Sequence, residues 1–394
     1  MTKNNILWSK VWAIAAVQGA ITLTYIVYNL YLPALIFELR LSTSLATTIL
    51  IVEHALAAFI KPVFGYLSDR QQRRFGTRIR MIVIAAILAS AFLIIVPVLV
   101  ILGEINPIWR RLFPTIAISW AVTTAICYVP TIALLRSCAP PEKLAQAASV
   151  LTLVVTIISA LQFDVHNLIL KLGESFTFTI SSISLLAAVA LIRWLYPPQR
   201  AMINNHELES IYLPIFALIF TIGLGIAWGI RFLTPTLNNV FSLQIGQDHS
   251  RLAIMIFFIA LGLAAFPAGK LATKLGNSFG MLVGLAVTIF CLQLLILVPN
   301  QIILGMILII LIFALSLVLN SSVPFVFSLV LHQDTGLGTG LYFGGLAAGI
   351  SCFNVVFPQP QQITINIGAI GTTVSFLLAL LAIAFSMQLK IQED

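Results

Sequence analysis

The sequence predicts an all-α polytopic membrane protein with twelve transmembrane helices in two six-helix halves. Three observations carry that prediction. Hydrophobic residues make up 60% of the 394-residue chain and charged residues only 9%, against roughly 25% charged in an ordinary soluble domain. Mean hydropathy is +1.06. So few polar side chains cannot cover a soluble surface, which excludes a cytosolic enzyme, a secreted disulfide scaffold and a disordered chain. Second, the apolar residues fall into twelve runs, each near the ~20 residues that a membrane helix needs. Third, the longest polar stretch, Tyr196 to Ser210, lies near the midpoint and divides the runs six and six.

In order, the spans are read at 11–36, 44–68, 80–103, 112–137, 144–171, 175–196, 211–240, 249–272, 278–298, 302–331, 337–358 and 364–388. The first follows Lys3 and Lys10 and exceeds the about 7–15 apolar residues of a signal-peptide core. It therefore reads as an uncleaved span. Residues 1–196 form the first half, 197–210 a cytoplasmic linker and 211–394 the second half. The halves echo each other. Pro33 in span 1 matches Pro235 in span 7, Pro62 and Gly65 in span 2 match Pro267 and Gly269 in span 8, and Val129-Pro130 in span 4 matches Val323-Pro324 in span 10. Three echoes in one order suggest a duplicated six-helix unit related by an axis along the membrane normal.

Charge sets the orientation. With the N-terminus inside, 14 of the 21 lysines and arginines fall on the inner side, and only Arg40, Arg110, Arg111, Lys171 and Arg251 on the outer. The positive-inside rule then places both termini in the cytoplasm. Compact loops favour a bacterial inner membrane. The formal net charge of +8 is topogenic on this reading and implies no nucleic-acid partner. Cys127, Cys138, Cys291 and Cys352 are scattered and read as small apolar core residues.

Several spans carry polar stripes that a lipid-facing helix does not need. Gln18, Thr22, Tyr25 and Asn29 share one face of span 1 through steps of three and four residues, and Trp120, Thr124, Tyr128 and Thr131 share one of span 4. Thr221, Trp228 and Arg231 mark span 7, and Ser316, Asn320 and Ser328 mark span 10. Ionisable residues within spans are few: Glu53, His54 and Lys61 in span 2, Asp164 and His166 in span 5, Arg231 in span 7. A charge at the bilayer centre costs about 3 kcal/mol or more and marks function by default. Glu53, His54, Asp164, His166 and Arg231 suit a proton relay, in which Arg231 moves toward or away from Asp164 or Glu53. Static ion pairing that fixes helix packing is the alternative. Lys61, about two turns from the inner end, can snorkel.

The strongest local signal is the run from Gly65 through Asp69, Arg70, Arg73, Arg74 and Gly76 to Arg78. An acidic side chain at a helix end beside several arginines can pair with them or cap a neighbouring helix. Such a cluster can gate one half against the other on the cytoplasmic side. Topogenic charge with lipid phosphate contacts is the simpler alternative. This run resembles the loop between helices 2 and 3 of the major facilitator superfamily, G-x-x-x-D-R followed by glycine and basic residues. Six residues between Asp69 and Gly76, where the common form has two, resemble the glycoside/sucrose-cation symporter and bacteriochlorophyll-delivery branches. So do Ala133 to Lys143 and Gly336-Leu337-Gly338-Thr339-Gly340-Leu341. Arg136 stands where those branches often carry an acidic residue.

The resemblance implies the major facilitator fold, in which helices 1, 4, 7 and 10 line a central cavity. Gln18, Thr22, Tyr25, Asn29, Trp120, Thr124, Tyr128, Trp228 and Asn320 then become cavity candidates; interhelical hydrogen bonding is the other reading of the stripes. No nucleotide-binding, hydrolase or metal spacing is present, so no enzyme, cofactor or metal site is expected. The expected function is secondary active transport of a small organic solute by alternating access, proton-coupled, with a sugar-like substrate permitted by the aromatic and amide side chains. The expected partners are that solute, protons and the lipid bilayer, and the chain is expected to be a monomer. A non-transporting assembly factor of the same fold, handling pigment or a membrane-protein client, is the alternative.

Overall fold

The computed structural model describes residues 5–42, 44–164, 166–196, 213–298, 300–359 and 362–391, with the side chains of residues 104, 164, 166–168, 390 and 391 outside the description. Thirteen α-helices occur among the described residues, with no strand. They are α1 (Trp8–Glu38), α2 (Ser44–Phe75), α3 (Ile79–Ile105), α4 (Pro107–Ala133), α5 (Leu144–Asp164), α6 (His166–Lys171), α7 (Glu174–Leu195), α8 (Leu213–Ile245), α9 (Gln247–Leu275), α10 (Asn277–Leu297), α11 (Gln301–Leu329), α12 (Thr335–Val356) and α13 (Ile365–Ile391). Twelve of the helical segments are long and apolar enough to cross a membrane. The chain is an integral multi-pass membrane protein. In hydrocarbon every backbone polar group must find its partner within the segment, which is why these runs are helices.

Helix ends are set by identifiable residues. Asn106 caps α4, its side chain accepting from the amide of Ile108 at 2.9 Å, with Pro107 at the first helical position. Asn300 caps α11 in the same way. Gly246 and Gly276, both at positive φ, turn α8 into α9 and α9 into α10. One expectation needs correction. Span 2 does not end at 68; α2 continues to Phe75, because a helix need not stop where apolar sequence stops. Span 5 is helical on both sides of residue 165, which lies outside the described residues, as α5 to Asp164 and α6 from His166 to Lys171.

The neighbour relations of α1–α7 recur in α8–α13. Helix α1 packs on α5 and α7, as α8 packs on α12 and α13; α3 packs on α4 and α7, as α10 packs on α11 and α13; α2 meets α4 as α9 meets α11. The sequence echoes at Pro33, Pro62 and Pro130 and their partners lie within these corresponding helices. The two sets join chiefly through α2 against α12 and α5 against α9. Small residues permit both approaches. Gly262 faces Thr156 and the Leu153 carbonyl, and Gly269 faces Ser149 and the Ala145 carbonyl. Ser351 donates to the Ile51 carbonyl at 2.9 Å. The linker, 197–210, lies outside the described residues.

Candidate functional site

The start of α1 and the last turns of α13 lie toward one face of the bundle. The Leu7 amide donates to the Cys138 carbonyl at 2.8 Å, and Lys10 lies over the Tyr196 ring. The C-terminal part of α13 packs beside the start of α8, Ile383 and Met387 near Ile215. On this terminal face, α2 of the first set meets the start of α12 of the second. Asp69, fully buried, accepts from the backbone amides of Gly336 (2.8 Å, on Oδ1) and Leu337 (2.7 Å, on Oδ2). It therefore sits on the N-terminus of α12, where orphan amides and the helix dipole both favour a negative charge. Arg78, also buried, forms an ion pair and hydrogen bond with the same carboxylate. Burial pushes the Arg78 pKa below its ordinary value, and the Asp69 charge opposes that shift.

The remaining members of the basic run divide sharply. Arg73 pairs with Asp334 at 3.7 Å, on the turn just before α12. Arg74 lies over the Phe75 ring, and Arg70 is exposed. Gly76 adopts φ 69°, the left-handed turn that ends α2 and returns Arg78 to Asp69. Gly65 allows the α2 backbone to touch Gly336, and Gly340 lies against the Lys61 carbonyl and Pro62. A second tie was not foreseen. Arg136, at the end of α4, donates to the carbonyls of Val330 (3.2 Å) and Leu331 (3.4 Å) and to Thr335 Oγ1 (3.2 Å). Its cation thus meets the carbonyl end of α11 while Asp69 meets the amide end of α12. Arg136→Ala is expected to raise cysteine-probe access to this junction about fivefold, less than loss of Asp69, because Arg136 is half-exposed and its interactions are screened. Maleimide labelling of a cysteine placed at Ala125 measures it.

Deeper in the bundle, aromatic rings and ionisable groups converge. Trp120 is fully buried, with Tyr28 4.3 Å and Tyr25 5.0 Å from it between ring centroids. Tyr28 donates to Glu53 Oε1 at 2.5 Å. Glu53 Oε2, Trp120 Nε1 and Gln18 Nε2 are buried with no hydrogen-bond partner among the described residues. Buried polar atoms are nearly always paired with protein or water, so the unpaired groups on α1, α2 and α4 make this cluster a candidate site. Tyr128 meets Phe343 edge-on at 4.8 Å, and Lys61 extends over the Tyr128 ring and to the Phe343 carbonyl, 3.3 Å away. His54 Nδ1 is 2.7 Å from the Leu50 carbonyl, and its ring is within electrostatic reach of Lys61 and of Arg231 on α8.

Residues 1–163 match the family model of the Major Facilitator Superfamily. No curated protein matches the chain by sequence. Solved structures match nearly its whole length. The major facilitator transporter FucP, in its outward conformation, is 10% identical, with a TM-score of 0.73 over 95% of this chain and 98% of that one. A bacterial homologue of the iron transporter ferroportin, in its outward-facing state, is 14% identical, with a TM-score of 0.69 over 96% and 99%. The human organic anion transporter MFSD10 is 13% identical, with a TM-score of 0.65 over 96% and 99%. The chain has the major facilitator fold.

Within this major facilitator bundle the expected site residues separate into groups. Tyr25, Tyr128, Glu53, His54 and Arg231 lie in the aromatic and ionisable cluster just described. Thr22 and Thr124 are on its helices, but their hydroxyls return to their own backbones, at Gln18 (2.9 Å) and Trp120 (2.8 Å). Asn29 is exposed near the far end of α1. Trp228 belongs to a second aromatic group with Phe232 and Phe353 on the opposite set. Asn320 is fully buried and donates to the Ala265 carbonyl at 2.7 Å, which ties α11 to α9. The side chains of Asp164 and His166 lie outside the described residues. Lys61 does not snorkel; its ammonium turns sideways to the carbonyl and ring named above. Tyr28 and Phe343 were missed because aromatic side chains are common in apolar spans. Only the steps from Gln18 and Tyr25 along α1 pointed toward Tyr28.

Proposed function

We propose that this protein is a secondary active transporter that moves a small organic solute by alternating access, coupled to protons. Residues 1–196 and 211–394 act as the two moving units, and 197–210 is their cytoplasmic link. The observation that carries the reading is the pairing of a tied face with an ionisable cluster beyond it. Asp69, Arg73 and Arg136 of the first unit hold the second unit at the terminal face. Toward the other face no substantial contact joins α1 to α8 or α2 to α8 among the described residues. The α2–α12 and α5–α9 pairs stay together there, through Ser351 on Ile51 and Phe163 stacked on Phe258, so the opening lies between α1, α2 and α8. A bundle tied at one face with these helices parted is one of the two end states that alternating access requires. The positive-inside count makes the tied face cytoplasmic, so this state opens outward.

Glu53 is the favoured proton carrier. Its carboxyl is buried and bonded to Tyr28, with no cation in ion-pair range among the described residues. Rotation of α1 against α2 would break the Tyr28 contact and change how well the site holds a proton. A sugar-like solute would find stacking faces at Tyr25 and Tyr128. In liposomes with a trapped pH dye, an imposed solute gradient should drive proton movement. Glu53→Gln should abolish that movement while leaving solute exchange down its own gradient. Proton movement unchanged in Glu53→Gln would refute the assignment of Glu53. Absence of tracer uptake for every solute would instead favour a non-transporting assembly factor, to be followed by recovery of a bound pigment or client.

A further inference from the structure

Two cations, Lys61 and Arg231, lie between the helix sets at membrane depth with no carboxylate in ion-pair range among the described residues. Lys61 and His54 are seven residues apart on α2 and so share a face. Lys61 has as partners a carbonyl and a ring, Phe343 and Tyr128. Arg231 on α8 keeps accessible surface although protein surrounds it, forms no ion pair among the described residues, and lies within electrostatic reach of His54. Glu53 neighbours His54 in sequence, but its carboxylate is turned into the bundle toward Tyr28 and buried. Each unpaired charge at this depth costs about 3 kcal/mol or more. A lipid-facing role does not explain them, since Lys61 is turned inward to Phe343 and Tyr128 and Arg231 is near enough to His54 to act on its charge.

Resting on the transporter reading above, we infer that the central site takes an anionic solute, whose negative group is held between Arg231 of one half and the His54–Lys61 face of the other. A guanidinium fork matches a carboxylate through two parallel hydrogen bonds, and an ammonium on the far side adds charge without fixing orientation. Trp228 is three residues from Arg231 on the same face of α8, and Tyr128 and Phe343 lie beside Lys61. The solute therefore carries its charge on an organic body that rings can cover. Because the two cations belong to different halves, binding draws α2 toward α8 on the face where they are slack. Charge neutralisation thereby becomes the closing force.

The test uses anion access to Trp228 and does not depend on knowing the solute. Fluorescence quenching by iodide and by caesium is measured on the purified full-length protein in neutral detergent, and the Trp228 component is the difference from Trp228→Phe. Iodide should quench that component about fivefold more than caesium does, since a cationic cleft concentrates anions. Arg231→Gln should bring the two quenchers close to parity, and Arg231→Lys should retain the preference. Equal quenching by iodide and caesium in the unmodified protein overturns the inference. A resident carboxylate such as Asp164 beside Arg231 would give that same parity. A preference that survives Arg231→Gln also overturns it. The preference without any solute flux in liposomes would leave the anion site standing and remove the transporter reading; flux of a neutral solute with parity would do the reverse.

Discussion

Asp69→Asn is expected to release the terminal face and cost about tenfold or more in transport. Two backbone amides of α12 and the Arg78 guanidinium all donate to this one carboxylate. Asparagine keeps a single acceptor oxygen and places an N–H group where a donor already points. A hydrogen bond to a charged group contributes roughly 1.5–3 kcal/mol net, and Arg78 would be left buried without its counter-charge. A change of that size moves a two-state equilibrium about ten- to a hundredfold. Ala125 on α4 reads it out. It is buried in a small cluster with Ala57, Ala58 and Ala347, and so spans both sets of helices. In a background without other cysteines, maleimide applied from the terminal face should label Ala125→Cys about tenfold faster when Asp69 is asparagine. Equal labelling would mean that the Asp69 contacts hold the helix end without controlling the opening.

The twelve spans were legible because lipid imposes one rule on every segment. A run of about 20 apolar residues has no stable alternative to a helix in hydrocarbon. What the rule does not give is where a helix ends in water. The last turns of α2, Arg70 to Phe75, are polar, so apolar sequence stops at Ser68 while the hydrogen-bonded helix continues to the positive-φ glycine at 76. Nor does the rule give where a long side chain turns: Lys61 goes to the Phe343 carbonyl and the Tyr128 ring. The residues of the candidate cluster were partly legible. Periodicity identified the faces of α1 and α4, and rarity identified Glu53, His54 and Arg231. Their partners were not legible. Asp69 meets Gly336, 267 positions later, and Lys61 meets Phe343, 282 positions later. Those pairings exist only because α12 packs against α2 throughout its length. Nor did spacing show that the threonine hydroxyls of both stripes would return to their own backbones, as the i−4 carbonyl is always within reach.

Gly65→Ala should disable the protein as severely as loss of Asp69, by sterics alone. A Cβ at this position would overlap the carbonyl oxygen of Gly336, and that neighbour is backbone, not a side chain that can rotate away. The overlap is relieved only if α2 and α12 move apart. That movement lengthens both Asp69 contacts to the amides of Gly336 and Leu337, one turn further along the same interface. Helix association in lipid depends on close van der Waals packing, with no hydrophobic gain to compensate for a gap. Transport is therefore expected to fall by about tenfold or more, and Ala125→Cys labelling to rise as it does for Asp69→Asn. Gly305→Ala is the control: nothing lies within 4 Å of a Cβ there, and alanine favours helix over glycine by about 1 kcal/mol. The double variant Gly65→Ala, Asp69→Asn separates the two causes. If the glycine acts by parting the helices, the carboxylate contacts are already lost, and removing the charge should add little beyond the single change. Full additivity of the two effects would show that α12 tolerates the methyl group without leaving Asp69, and the close backbone approach would then matter for packing alone.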